Sequence, residues 1–269
     1  MQSVAIHDYP PDSARPSVRF YLWTASTFVI AVAVTIAMCA SMSGGMDMPG
    51  GWTMSMMWMR MPGQTWLGSA AMFILMWLAM MVAMMLPSII PVLLNFRRSL
   101  VREGTRRAGV STALVACGYF TVWAAIGGVA YILGVSWALA TMRWSVLSSA
   151  VPALTGATLV LAGGLQFTRW KMAGLGHCRN PHIDDAIKRG SELLTGWLHG
   201  CRQGIFCGIC CAGPMLALLV LGTMNLFFMT AVAGVIALEK LFPRPKPVVF
   251  LTGILAIVAG TAILVRALF

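Results

Sequence analysis

The sequence predicts an all-α fold, a polytopic transmembrane helical bundle of about seven spans in one domain. Three observations predict it. Apolar residues make up 59% of the 269 and charged residues only 10%. Several uncharged runs reach the ~20 residues needed to cross ~30 Å of hydrocarbon. The charge falls between these runs, so the net +11 describes loops rather than a basic folded surface. That distribution argues against a nucleic-acid partner. It points instead to a lipid bilayer with anionic lipids on its cytoplasmic side, as in a bacterial inner membrane.

The elements follow in order. Residues 1–19 are polar and contain proline, and read as a cytoplasmic tail. The run 20–41 is long for a signal peptide and Ser41-Met42-Ser43 is a weak cleavage site, so it is expected to remain as an anchor. Residues 42–64 form an external loop of low complexity. The second span, 66–94, contains Pro87 and Pro91, each of which removes a backbone donor and should bend its cytoplasmic half. Runs at 110–139 and 147–168 give the third and fourth spans. The loop 169–202 is long and cytoplasmic, and its residues 184–198 have the pattern of an amphipathic helix lying on the membrane surface.

The run 203–239 is too long for one crossing, since as a single helix it would extend ~55 Å. Gly222-Thr223-Met224-Asn225 interrupts it with turn-forming residues, which predicts two spans, 203–221 and 225–240. The run 248–268 closes the chain. Charge asymmetry supports the split. With seven spans and the N-terminus inside, only Arg60, Arg143 and Arg266 of 19 basic residues lie outside. Six spans would move Lys240, Arg244 and Lys246 to the outside, against the positive-inside rule.

The chemistry in this chain is soft. Cys207, Cys210 and Cys211 stand at i, i+3 and i+4, which puts three thiols on one helix face, and Met215 continues that face. Thiolate favours Cu(I), zinc or iron–sulfur clusters over hard cations. Upstream, Cys178, Cys201, His177, His182 and His199 supply further candidate ligands, so that five of the seven cysteines lie in residues 178–211. Pro214 cannot donate to the carbonyl of Cys210, so the helix should open there. Cysteine is also a small apolar filler, and the cluster is compatible with plain packing. Cys39 and Cys117 read as such fillers, and Glu239 reads as an interfacial partner of Lys240.

Methionine forms a second soft-ligand set. The external loop carries eight, Met42, Met46, Met48, Met54, Met56, Met57, Met59 and Met61, among Gly, Ser and Trp. Thioether binds Cu(I) or Ag(I) and little that is harder, and it forms no disulfide in an oxidising compartment. Met72, Met76, Met80 and Met84 recur at four-residue spacing in the second span, with Met81 and Met85 alongside. A soft cation captured by Met54 and Met56 outside would meet Met76, Met80 and Met84 at membrane depth. The alternative is hydrophobic: an interfacial loop and a packed or lipid-facing stripe would look similar.

Two segments carry a resemblance. Met76 through Ser88, and Gly204 through Met215 followed by Gly222-Thr223-Met224-Asn225-Leu226 and Glu239-Lys240, resemble a bacterial family of predicted metal-binding integral membrane proteins classed as a domain of unknown function. The likeness covers roughly residues 20–240 and implies a metal.

The reading that gathers these features is a membrane protein that binds or conveys copper(I) through methionine thioethers and cysteine thiolates. The chain contains no phosphate-binding loop and no phosphorylation motif, so the machinery of a pump is absent from the sequence. The alternative is a non-catalytic structural or assembly subunit of a larger membrane complex, in which Gly204-x-x-x-Gly208, Gly127-Gly128 and Gly163-Gly164 would serve packing against other membrane-protein subunits. A thiol redox enzyme built on Cys207 and Cys210 is the third, and placement of the thiols near the cytoplasmic face argues against it.

Overall fold

A computed structural model describes residues 18–41, 44–60, 63–102, 108–179 and 192–269. The chain runs α1 (Val18–Ser41), β1 (Gly45–Met48), β2 (Trp52–Ser55), a 3-10 turn (Met56–Trp58), then α2 (Trp66–Arg102), α3 (Ala108–Arg143), α4 (Ser145–Gln166), α5 (Arg169–Arg179), α6 (Glu192–Leu221), α7 (Leu226–Leu241) and α8 (Pro245–Leu268). Six of these helices are long and apolar enough to cross a bilayer, and the chain is a membrane-spanning protein. In α2, 56% of the most apolar window is buried, against 17% in α1, α3 and α8. Thus α2 is the centre of the bundle, and the exposed leucines, valines and isoleucines of α1 and α8 are the surface that lipid covers.

The expected break at 222–225 is present. Gly222 takes φ +109°, a left-handed conformation that glycine adopts freely, and its amide caps the Leu218 carbonyl at 3.1 Å. Asn225 then caps α7, its side-chain oxygen accepting from the amides of Phe227 and Phe228 at 3.0 and 3.3 Å. At 16 residues α7 is only ~24 Å long, shorter than the six helices long enough to cross. Proline does not interrupt α2, which runs as one helix of 37 residues through Pro87 and Pro91.

Helix contacts are made through glycine. Gly196, Gly200, Gly204 and Gly208 repeat every four residues along α6 and face α3, running parallel to it. A Cβ on Gly204 would meet Val122 Cβ at 2.9 Å and the Tyr119 carbonyl at 3.0 Å, and one on Gly200 would strike the Val115 carbonyl. Gly118 returns the favour against the Trp197 carbonyl. The antiparallel α4–α8 pair is joined the same way: a Cβ on Gly156 would sit 2.7 Å from the Gly260 carbonyl, and one on Gly163 2.7 Å from that of Gly253. A Cβ on Gly213 of α6 would meet the Ala162 carbonyl of α4 at 2.8 Å.

Two of the expected loops contain regular structure. The first is the methionine-rich loop. Residues 45–55 form an antiparallel hairpin with Met46 opposite Met54 and Met48 opposite Trp52, turning at Pro49-Gly50-Gly51. It is anchored by Trp52 Nε1 donating to the Ser148 carbonyl and Ser148 Oγ donating to that of Pro49, both at 2.9 Å. The 3-10 turn seats Trp58 on Gly134 and on Phe73, so the whole segment caps one end of the bundle. The loop 169–202 contains helix α5, and its residues 192–198 belong to the start of α6 rather than to a separate surface helix. Residues 1–17 of the tail, Met42, Met61, His182 and residues 184–191 lie outside the described residues.

Candidate metal centre

Four sulfurs meet where α5 crosses α6. Cys207 and Cys211 are one turn apart with Sγ atoms 3.9 Å from each other, and Cys210 lies 3.6 Å from Cys211. Cys178 arrives from α5, with its Sγ 3.4 Å from that of Cys210. This approach is possible because Gly174, one turn earlier on α5, rests against Cys210; a Cβ there would sit 3.3 Å from the Cys210 Cβ and amide. The Sγ atoms of Cys207, Cys210 and Cys211 all lie within 4.8 Å of one another, and all three residues are buried. Sulfurs bound ~2.3 Å from one ion are ~3.8 Å apart in a tetrahedral array and ~4.0 Å in a trigonal one. The spacings present are close to those values, so a soft ion fits with small side-chain adjustment. The Cys178 thiol, outside the spanning helices, is pushed up to about 12, chiefly by its hydrogen bond with the Cys207 thiol and further by burial. It is therefore protonated at neutral pH, and serving as a metal ligand would require it to lose that proton.

The surroundings of Cys207 are polar and charged. Tyr119 Oη of α3 and Lys240 Nζ of α7 each lie 2.9 Å from its sulfur, and the thioether of Met85 lies 3.9 Å away. Lys240 Nζ is also 3.9 Å from the Met85 sulfur. A small cavity beside these groups is bounded by Ser88, Val92 and Gln203.

Glu239 does not pair with Lys240 as the sequence order implied. It is buried and faces the other way, binding Lys171 Nζ of α5 at 2.5 Å and accepting from Gln166 Nε2 at 2.9 Å. Lys171 makes a second bond of 2.5 Å to the carbonyl of Cys210. That is the carbonyl Pro214 leaves without its helical donor. An ammonium from α5 thus takes the place of the missing N–H and ties the Cys178 helix to the Cys210 helix.

The other sequence-derived candidates divide. Met76, Met80 and Met84 are all buried in the core that includes the thiols, but the thioether in contact with Cys207 is that of Met85, one residue along. At the capped end, Met54 and Met57 are buried, Met56 is half-buried, and the Met57 sulfur accepts from Thr223 Oγ1 at 3.7 Å. Between cap and thiols lies an aromatic layer of Trp58, Phe73, Tyr131 and Trp77. His177, Cys201 and His199 make other contacts. His177 stacks on Phe206 with centroids 4.2 Å apart and bonds the Ala173 carbonyl. Cys201 bonds the Gly118 carbonyl at 3.5 Å in the α3–α6 seam, and His199 stacks on Phe96. None of these three joins the thiol group. The sequence reading did not place Lys171, Lys240, Tyr119 or Met85 beside the thiols. The one signal for the first was the Pro214 carbonyl, which required a donor from somewhere.

Residues 74–263 match the family model PpoB2, described as a copper chaperone. Both segments that carried the resemblance to a metal-binding membrane family lie within that range. No curated protein and no solved structure matches the chain.

Proposed function

Since the chain belongs to the PpoB2 copper chaperone family, which makes it a copper-handling protein, we propose that it carries Cu(I) within the membrane between a methionine-lined outer end and the four-thiol cluster. The observation that carries this reading is the cluster itself: Cys207, Cys210 and Cys211 buried together at ligand spacing, with Cys178 of a second helix 3.4 Å from Cys210. Free cysteines distributed for packing have no reason to converge so closely. Met57 and Met54 under the cap, then Met76, Met80, Met81, Met84 and Met85 along α2, line the core between the cap and Cys207 with thioethers. Such ligands bind Cu(I) and Ag(I) weakly enough to pass them on, and thiolates hold them more firmly.

The supporting topology is seven crossings in a bacterial inner membrane with the N-terminus in the cytoplasm. The hairpin, the α3–α4 turn and the α6–α7 turn share one end, through Trp52–Ser148 and Met57–Thr223. The α5 terminus and the α7–α8 turn share the other, through Arg179 and the Phe242 carbonyl. The surrounding partner is the lipid bilayer. For the assembly-subunit reading, the chain's own helices occupy Gly204, Gly208, Gly127 and Gly163, while Gly128 and Gly164 stay open to a neighbour.

The test is metal content of the purified chain under reducing conditions. We expect about one Cu(I) per chain with an X-ray absorption shell made only of sulfur at ~2.3 Å. Serine at Cys207 together with Cys210 should abolish it. Full copper retention in that double variant would overturn the proposal.

A further inference from the structure

The charges facing the thiol cluster do not cancel. Lys171 and Glu239 form a closed pair, spent on each other and on the Cys210 carbonyl. Arg179 lies at the margin, bonded to backbone carbonyls of Glu239 and Phe242. Among the described residues this leaves Lys240, whose ammonium lies 2.9 Å from the Cys207 sulfur and has no carboxylate partner. A lone cation buried against sulfur calls for negative charge on its partners, since an isolated charge in a poorly solvated interior costs several kcal/mol. The arrangement becomes favourable once the cluster carries net negative charge.

We propose that Lys240 is the fixed counter-charge of the copper-loaded centre, a specificity residue that acts on the thiolates and not as a ligand. The balance is simple. A monovalent ion held by two thiolates has a net charge of −1, and one ammonium neutralises it. A third sulfur can then join as a neutral donor, and Met85 is in place to do so, 3.9 Å from both Cys207 Sγ and Lys240 Nζ. A four-thiolate centre around a divalent ion, the usual arrangement for structural zinc, would carry −2 and remain unbalanced by one charge. Tyr119 Oη, 2.9 Å from the same sulfur, adds a neutral hydrogen-bond donor to the thiolate. Lys240 comes from α7 and reaches the site because Glu239, its neighbour, is held on the opposite side by Lys171 and Gln166. The dipeptide thus divides its charges, the acid closing the α5 pair and the base facing the metal.

This inference rests on copper binding by the thiols, and the experiment separates the two. Cu(I) affinity of the purified full chain is measured by competition with bicinchoninate, for the wild type, Cys207→Ser, Lys240→Leu, Lys240→Gln and Lys240→Arg. Helix content and thermal unfolding are recorded for each. We expect Lys240→Leu and Lys240→Gln to weaken Cu(I) binding by about tenfold or more, and Lys240→Arg, which keeps the charge, to stay within about threefold. Binding in folded Lys240→Leu or Lys240→Gln as tight as the wild type, with Cys207→Ser defective, overturns the counter-charge role and leaves the thiol site standing. Loss in Lys240→Arg equal to that in Lys240→Gln also overturns it, since shape rather than charge would then be the requirement. Wild-type binding that Cys207→Ser does not affect removes both.

Discussion

Replacing Lys171 by methionine tests the joint between α5 and α6 most directly. The side chains of Lys171 and Glu239 are 3% and 2% exposed, so solvent screens their interaction little. Removing the ammonium leaves the Glu239 carboxylate with only neutral donors, Gln166 Nε2 at 2.9 Å and Thr252 Oγ1 at 3.3 Å. It also leaves the Cys210 carbonyl unpaired, because Pro214 has no N–H to offer. Breaking a buried pair by deleting one partner costs about 3–5 kcal/mol. An orphaned carbonyl adds about 1–3 kcal/mol. The two overlap, and a loss of at least ~4 kcal/mol is expected, roughly a thousandfold in the folding equilibrium. The double variant Lys171→Met, Glu239→Met replaces the pair by apolar side chains, a change that is often neutral. Only the carbonyl then remains unpaired, so the double variant should be more stable than the single by ~2 kcal/mol. Equilibrium unfolding in matched detergent, run as a double-mutant cycle, measures this. A loss below ~1 kcal/mol in Lys171→Met, or a double variant no more stable than the single, would refute the account.

Further outcomes follow for the methionines and the topology. Leucine at Met76, Met80, Met84 and Met85 preserves volume and apolarity, so each substitution should cost less than ~1.5 kcal/mol, while silver or copper capacity measured by equilibrium dialysis should fall. The same holds at the cap for Met54, Met56, Met57 and Met59, and unchanged capacity in both sets would eliminate the thioether route. Single cysteines introduced at Asp47 and Phe269 of an otherwise cysteine-free chain should react with impermeant thiol reagents from outside, and one at Lys246 only from inside. Labelling of Phe269 from the inside would refute the seventh crossing.

The helices were legible because their signals are local. Apolar length marked the crossings, and Gly222 with Asn225 marked the α6–α7 turn through the conformations those residues favour. The i, i+3, i+4 spacing placed Cys207, Cys210 and Cys211 together for the same reason. What lay beyond reach depended on partners distant in sequence. Cys201 and His199 looked like ligands by proximity, yet six residues turn a helix through about 600°, which carries Cys201 well off the Cys207 face into the α3 seam. The choice of Met85 over Met84 depends on the rotation of α2 against α6, and no pattern within α2 states it. Glu239 and Lys240 are adjacent, so pairing them was the local solution, but Lys171 lies 68 residues away and claims the acid. The hairpin went unseen because glycine and methionine have low strand propensity, and its anchor is Ser148, 96 residues from Trp52.

The glycine contacts divide the molecule by how freely its parts can move. Helices α3, α6, α4 and α8 touch backbone to backbone, through Gly200 and Gly118, then Gly213, then Gly156 and Gly163. Backbone set against backbone leaves these seams little room to repack, so these four helices form one stiff frame, and the three cysteines of α6 are fixed to it. By contrast α2 packs through its methionines and aromatic rings, side chains that can repack, with Trp77 Nε1 donating to the Trp123 carbonyl at 2.9 Å as its polar tie to α3. α7 is tied to the neighbouring helices through Glu239, which binds Lys171 and Gln166. The thiols of α6 and the ammonium of Lys240 are thus held by fixed joints, while the thioether of Met85 rests on adaptable packing. A small shift of α2 would change the thioether beside an ion without disturbing the cysteines or the charge that face it.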